Sequence, residues 1–339
     1  MISIECFKGL PLEYEFFLIE RYNSFITTCR YIEIYNPGDS INYMLVYMDN
    51  TLIELLIFGN RGNTSTCFNS LVDIDQDILK ECTKNIFIEY PTIQKIKILG
   101  SYRIYDLHRS FLISKSNDHI LNLPLTLDNY YSELGSNTRK HIKNYKVRLL
   151  KDYPQVKFVT KYRVEIEDSI IDKIIELNID RMKYKGIVPG KDKNDAKDFY
   201  KYSQHYGCVS YIEIDGNIVA GTISTILKKR IFLQVIAHDN NFSRYNIGQL
   251  CIFNLIQTSI EKKLSTFHFL WGENEYKERL LAKPKLLYSY LIYRDYSLDY
   301  ILSNNKALFL SFLIGFRSSK YSKPLRNAVK IYRSKKWKL

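Results

Sequence analysis

The sequence predicts an α+β fold built from two similar halves. Three observations carry this. The chain has 339 residues, too many for one small core and suited to two domains. It is rich in Tyr, with 28, and in Ile, residue types that favour strands. One order of elements, hairpin, short strand, helix, strand, can be read twice along the chain.

In the first half, "INYMLVYMDNTLIELLIFGN" at 41–60 holds two β-rich runs joined by Asp49-Asn50. Asp and Asn tolerate the positive φ of a tight hairpin turn, so a hairpin is predicted. A short strand, a helix at about 74–89 and a strand "IQKIKIL" at 93–99 follow. Residues 125–154 begin with Thr126 or Asp128 as a helix cap and become one basic helix, with Ile142, Tyr145 and Leu149 as its apolar positions. That helix is expected to bridge the halves.

The second half opens with a strand "VKFVTKY" at 156–162. An amphipathic helix at 167–186 follows, with a core stripe at 170, 171, 174, 175 and 177. The polar stretch 185–196 is predicted as a loop able to lie over a site. A second hairpin at 208–227 turns at Asp215-Gly216-Asn217, followed by a strand, a helix at about 247–263 and a strand "TFHFLW" at 266–271. The apolar run 307–316 is too short to cross a bilayer, which takes roughly 20 residues, and reads as a core helix. Expected boundaries are 1–124 for the first module, 125–155 for the connecting helix, 156–316 for the second module and 317–339 for a basic tail.

Charge and cysteine usage narrow the function classes. The net charge is +13, and residues 317–339 hold nine Lys or Arg and no acid, which leaves +4 for the rest. The tail offers a surface for a phosphate-rich ligand, nucleic acid or an anionic membrane, and equally reads as a solvated helix. With the excess charge confined to one end and no recognition motif present, a nucleic-acid partner is not expected. Peripheral membrane association through the tail stays open, as does the oligomeric state. The six cysteines form no CxxC pair or cluster, and with scattered histidines they predict reduced thiols, a cytoplasmic protein and no metal. The opening "MISIECFKGLPLEYEFF" lacks the basic start and long apolar run of a secretory signal. No GxGxxG follows the first strand and no GxxxxGK[ST] is present, so neither a Rossmann domain nor a P-loop is supported.

The informative stretch is "RIFLQVIAHDNNFSRYNIGQL" at 230–250. A buried strand changes abruptly into a polar turn, and Gly248 stands at the mouth of an apolar helix. The turn is either a plain connection or a phosphate cradle, since a helix start leaves unbonded N–H groups and a partial positive charge. Arg244 would add a fork of donors.

This turn resembles the acyl-CoA loop of the GNAT acetyltransferase superfamily, [Q/R]-x-x-G-x-[G/A], here Ser243-x-x-Asn246-x-Gly248 with only the last Gly kept. The chain resembles most the two-module, FemAB-like branch. It shares a basic helix "SNTRKHIKNYKVRLLK" at 136–151, a hairpin, strand, loop and helix at 215–250, and a strand ending in Gly272-x-x-x-Tyr276-Lys277. The resemblance covers about 125–295 and implies tandem GNAT-like modules, each a mixed, mostly antiparallel sheet flanked by helices, the first degenerate.

It also implies acyl transfer from coenzyme A to an amine. Ile236 and Ala237 would form the strand bulge whose N–H meets the thioester carbonyl. Residues 243–248 (Ser243, Arg244, Tyr245, Asn246, Ile247, Gly248) would hold the pyrophosphate, and Trp271 would line the pantetheine channel. His238 and Asp239 end the strand beside the thioester, and His has the intrinsic pKa for base work. Glu273 is placed to relay the ammonium proton, Glu275 to bind the substrate, and Tyr276 to protonate the leaving thiolate. Arg181, Lys183, Tyr184 and Lys185 would wall the acceptor pocket, with Arg139, Lys140 and Lys277 as further acceptor contacts. Each has a plainer structural reading as a helix-end charge or packed side chain.

Within this branch the chain is similar to nucleotide-sugar N-acyltransferases of the FdhC type, which acylate a dTDP-3-amino-3,6-dideoxyhexose. That implies acetyl- or 3-hydroxybutyryl-CoA as donor, a nucleotide-linked amino sugar as acceptor, and a role in surface polysaccharide. Two rivals stand beside it: a FemAB-like transferase using aminoacyl-tRNA on a peptidoglycan precursor, and a non-catalytic module for anionic ligands or membrane surfaces.

Overall fold

The protein is described by a computed structural model that covers residues 2–272 and 274–295. Glu273, the core helix expected at 307–316 and the tail 317–339 lie outside the described residues. The first module runs β1 (Ile2–Lys8), α1 (Glu15–Tyr22), α2 (Cys29–Tyr35), β2 (Ser40–Met48), β3 (Thr51–Arg61), β4 (Thr64–Cys67), α3 (Gln76–Glu89), β5 (Lys95–Ser101) and β6 (Ser110–Asn122). After α4 (Leu127–Glu133) and α5 (Ser136–Asp152) the order returns. The second module is β7 (Lys157–Tyr162), α6 (Asp168–Tyr184), α7 (Lys193–Tyr206), β8 (Gly207–Ile214), β9 (Asn217–Leu227), β10 (Arg230–His238), α8 (Ile247–Glu261), β11 (Thr266–His268), α9 (Glu275–Arg279) and β12 (Lys283–Tyr293). The repeat is therefore longer than the sequence reading found, because each module also opens with a strand and two helices.

All the described strands form one 12-stranded sheet in the order β1-β2-β3-β4-β5-β12-β6-β11-β10-β9-β8-β7. Read from either end, the order runs through equivalent strands. At the centre the modules exchange their last strands: β12 pairs with β5, and β6 pairs with β11. The sheet is mixed and mostly antiparallel, with β4–β5 and β10–β11 as its parallel pairs. Helices cover both faces, which makes the fold α+β as predicted.

Local chemistry explains the elements. Both hairpins turn on residues with positive φ, Asp49 and Asn50 in one and Asp215 and Gly216 in the other, the geometry that matches strand twist. Ile170, Ile171, Ile174, Ile175 and Leu177 of α6 are buried, as the stripe predicts. The single basic helix expected at 125–154 is two helices. Thr126 caps α4, its hydroxyl accepting from Asn129 N, and the extended Leu134 and Gly135 separate α4 from α5. The loop expected to reach residue 196 stops earlier, because Asp192 and Asp195 form a reciprocal capping box that starts α7. The strand expected to reach Trp271 leaves the sheet after His268.

Candidate active site

The site is built on a wedge. β10 pairs with β11 only over Arg230–Phe232 against Thr266–His268, so Leu233–His238 have no β11 partner. On its other edge β10 stays paired with β9 through His238, with one irregularity between Leu233 and Val235. Gln234 is the extra residue, so the bulge lies two positions before the expected Ile236–Ala237.

The bulge inverts the strand's faces, because one added residue shifts a period-two pattern. Ile231 and Leu233 pack in the core that includes α8, whereas Val235 and Ala237 pack in the core of α6 and α7. Ile236 returns to the α8 side. His238 follows that parity, and a Cβ built on Gly248 would lie 2.7 Å from its Nδ1. A side chain at 248 would therefore have to displace the imidazole across from it. Asn178 of α6 donates to the Ile236 carbonyl at 3.0 Å. In an extended strand the N–H and C=O of one residue point to the same edge, so the Ile236 N–H shares that edge.

Around the tip of β10 the structure gathers cations and a phenol. Burial lowers the His238 pKa to about 4, helped by the Arg181 and Lys185 charges and opposed by Asp239. The imidazole is therefore neutral at pH 7. Its buried Nδ1 and the buried Nε of Arg181 have no hydrogen-bond partner among the described residues. Burial raises the pKa of the Tyr276 hydroxyl, with the Arg181 charge opposing, so the phenol keeps its proton.

A cavity of about 330 Å³ opens from the wedge toward the first module. Leu233–Ile236 form one wall, Phe269–Trp271 and Tyr276 another, and Phe199 and Lys191 a third. Phe25, Tyr31 and Tyr35 of the first module close it. Sequence reasoning found Ile236, Trp271, Tyr276 and Lys277 but missed the aromatic residues from α2 and α7 and Gln234. The polar Gln within the apolar run "IFLQVIA" was the available signal for the bulge.

Several expected site residues have other partners. Lys277 is 2% exposed and donates to the carbonyls of Phe269, Leu270, Trp271 and Gly272 at 2.7–3.2 Å, which shapes the loop after β11. Arg244 pairs with Asp152 of α5 at 3.1 Å and bonds the Tyr245 hydroxyl, which itself donates to Asp152 at 2.7 Å. Tyr245 and Ile247 are core residues. The Asp239 carboxylate accepts from Asn241 N at 2.8 Å and caps a 3-10 turn over Asn240–Tyr245. Ser243 is exposed and its carbonyl accepts from Asn246 N. Arg139 donates to the carbonyls of Tyr131 and Ser132 at the end of α4. Lys140 is exposed on α5, and Glu275 faces solvent beside Arg279. Lys183 and Tyr184 are exposed at the end of α6.

The two modules differ at the helix start after the parallel strand. Asn246 caps α8 in a left-handed conformation with no side-chain cap bond. In the first module Asp75 caps α3, and its carboxylate accepts from Asp77 N at 2.9 Å and Ile78 N at 3.4 Å. Those hydrogen bonds hold its pKa below the usual carboxylate range. A fixed negative charge there, with Asp73 and Asp77 beside it, repels phosphate.

Comparison with known proteins agrees with this geometry. Residues 136–278 match a family described as "Acetyltransferase (GNAT) domain". No curated protein matches the chain. Among solved structures, FemX superposes with a TM-score of 0.62 at 9% identity over 85% of this chain and 97% of that one. A conserved protein of unknown function from Bacteroides thetaiotaomicron VPI-5482 gives 0.54 at 12% over 86% and 99%. L-PGS from Bacillus licheniformis gives 0.50 at 12% over 77% and 86%. The fold is thus a tandem, GNAT-like α+β fold, similar to that of FemX.

Proposed function

We propose that the protein is an N-acyltransferase in which an acyl-CoA enters the β10–β11 wedge of the second module and an amine is presented from the cavity between the modules. The observation that carries this is the wedge itself: a strand edge freed after Phe232, bulged at Gln234, opening onto a cavity with a protonated phenol beside it. The residues fit the group. Among the described residues the α8 start has no side-chain cap bond, and Arg181 Nε is a buried donor without a partner. Coenzyme A would supply an activated thioester. Around it, Ile236 N–H is oriented to steady the carbonyl oxygen as charge develops. The neutral His238 imidazole can accept a proton from the amine, directly or through water, and the Tyr276 hydroxyl can return one to the leaving sulfur.

The acceptor we propose is a nucleotide-linked amino sugar of the dTDP-3-amino-3,6-dideoxyhexose type, used for surface polysaccharide. An aromatic cavity containing Phe25, Tyr31, Tyr35 and Trp271 suits the face of a base or sugar ring. Lys191 in its lining suits a diphosphate. Six free cysteines, five of them buried, fit a reducing cytoplasm.

A thermal-shift titration with CoA, acetyl-CoA and 3-hydroxybutyryl-CoA tests the donor. At about 100 times its dissociation constant a ligand adds roughly 2.7 kcal/mol of stability. Wild type should shift and Gly248→Trp should not. Mass-spectrometric assay of dTDP-amino sugars with the best donor then tests the acceptor. Absence of any shift with CoA and both thioesters would sink the acyl-CoA reading. One observation favours an aminoacyl donor instead: Arg244 is engaged by Asp152, and His238 lies against Gly248, so the loop has fewer open donors than the family pattern implies. Aminoacyl-tRNA is therefore the second donor to assay.

A further inference from the structure

We infer that residues 183–193, the loop joining α6 to α7, form a docking tip for an anionic lipid surface, independently of any acyl transfer. α6 ends in paired hydrogen bonds, Gly186 N to Lys183 O at 2.8 Å and Ile187 N to Met182 O at 2.9 Å, with Gly186 at φ +66°. This is a Schellman ending, and its usual companion is an apolar contact that folds the residue after the glycine back onto the helix. Here that contact is incomplete. Ile187 is 41% exposed, Val188 68% and Tyr184 78%. Among the described residues a Cβ placed on Gly186 or Gly190 would meet nothing within 4 Å, so these two backbone positions stand clear of them.

The tip is fixed as well as exposed. The Schellman bonds hold one end, and the Asp192–Asp195 capping box holds the other. Four lysines flank the apolar residues in sequence: Lys183, Lys185 and Lys193, which are exposed, and Lys191, whose ammonium lies 5.1 Å from the centre of the Phe199 ring. Asp192 keeps its charge while its carboxylate accepts from Asn194 N and Asp195 N, and Asp180 lies 4.0 Å from Lys183, but with four lysines and one aspartate residues 183–193 remain net positive. An apolar point flanked by ammonium groups matches the boundary of a bilayer. Isoleucine, valine and the tyrosine ring would enter the acyl region while the lysines meet phosphate. A soluble acidic protein would match the charge but not three apolar side chains at the tip. Lys191 also lines the cavity, so docking would set the cavity mouth beside the surface.

Vesicle flotation with the full chain tests this, using phosphatidylcholine vesicles and vesicles of phosphatidylcholine with phosphatidylglycerol. Wild type should partition to the anionic vesicles at least tenfold better. Ile187→Ser with Val188→Ser should lose about tenfold of that binding with an unchanged melting curve, since both side chains are already exposed. Lys183→Gln and Lys193→Gln should each lower it about fivefold, the equivalent of ~1 kcal/mol per charge. Because the basic tail could also bind anionic vesicles, Val188→Trp supplies a local reading. The emission of the introduced tryptophan, taken as the difference from wild type, should shift to the blue with anionic vesicles and not with neutral ones. Undiminished flotation of the double serine variant, or an unshifted difference emission while the protein floats, would assign binding to the tail and overturn the inference. A blue shift produced by CoA without vesicles would identify the loop as a lid and overturn it as well.

Discussion

His238 is the residue whose environment says most. Burial, with two cations adding to it, holds its pKa near 4, and Gly248 leaves room for its ring. Removing one cation should release it in part. In Arg181→Met the His238 pKa should move up toward the ordinary 6.5, read by NMR titration of the ring. An unchanged value would mean that burial alone sets it. The same depression has a consequence for stability. The unfolded chain takes up this proton near pH 6.5, whereas the folded chain does so only near pH 4, so stability contributed by the neutral ring is present above 6.5 and lost as pH falls through that window. Denaturant midpoints of wild type should therefore fall more steeply from pH 6.5 to 4 than those of His238→Gln. On the proposed chemistry, His238→Gln and Tyr276→Phe should each lower kcat by about 10²-fold with smaller changes in KM. A loss confined to KM would reassign them to acceptor binding.

At the scale of elements, the loop between β11 and α9 hangs on one side chain. Lys277 supplies an ammonium to four consecutive carbonyls, and burial lowers its pKa to about 8. Lys277→Met keeps much of the volume but leaves those carbonyls without their donor. It should cost about 2–4 kcal/mol in urea unfolding and should disturb the cavity wall formed by Phe269–Trp271. A cost below ~0.5 kcal/mol would mean that water replaces the ammonium. From sequence, Lys277 was legible as part of a motif but not as this buried clamp, because a lysine near a tyrosine carries no sign of where its amine goes. The hairpins and the α6 stripe were legible because turn chemistry and helical periodicity are local. The Gln234 bulge was less so: one polar residue inside an apolar run marks a place but does not say that a residue is inserted there, and the insertion changes only which side chain faces which helix. The break at Leu134–Gly135 was overlooked for a similar reason, since α4 and α5 each have sound helical composition.

At the scale of the molecule, the repeat in the sequence predicted two modules and missed how they join. Pairing of β12 with β5, and of β6 with β11, is non-local and leaves no periodic mark in either strand. The seam carries its own polar lock: the fully buried Asp118 of β6 accepts from the Tyr102 hydroxyl at 2.7 Å and lies 2.7 Å from Nδ1 of His268 in β11. Each module's sheet is therefore completed by a strand of the other, and the cavity takes walls from both. Cutting the chain at 124/125 leaves residues 1–124 with β5 lacking its β12 partner, and residues 125–339 with β11 lacking β6. Free central edges of this kind aggregate. Neither fragment alone should give a cooperative melt or dispersed amide NMR signals. Co-expressed, the fragments should associate into a soluble complex with a single melting transition below that of the intact chain, because the second fragment restores both edges while the added chain ends cost association entropy. If residues 125–339 fold cooperatively alone, the exchanged strands are an attachment between self-sufficient modules. If only the co-expressed pair folds, the twelve strands are one folding unit, and the cavity at their seam cannot exist without both halves.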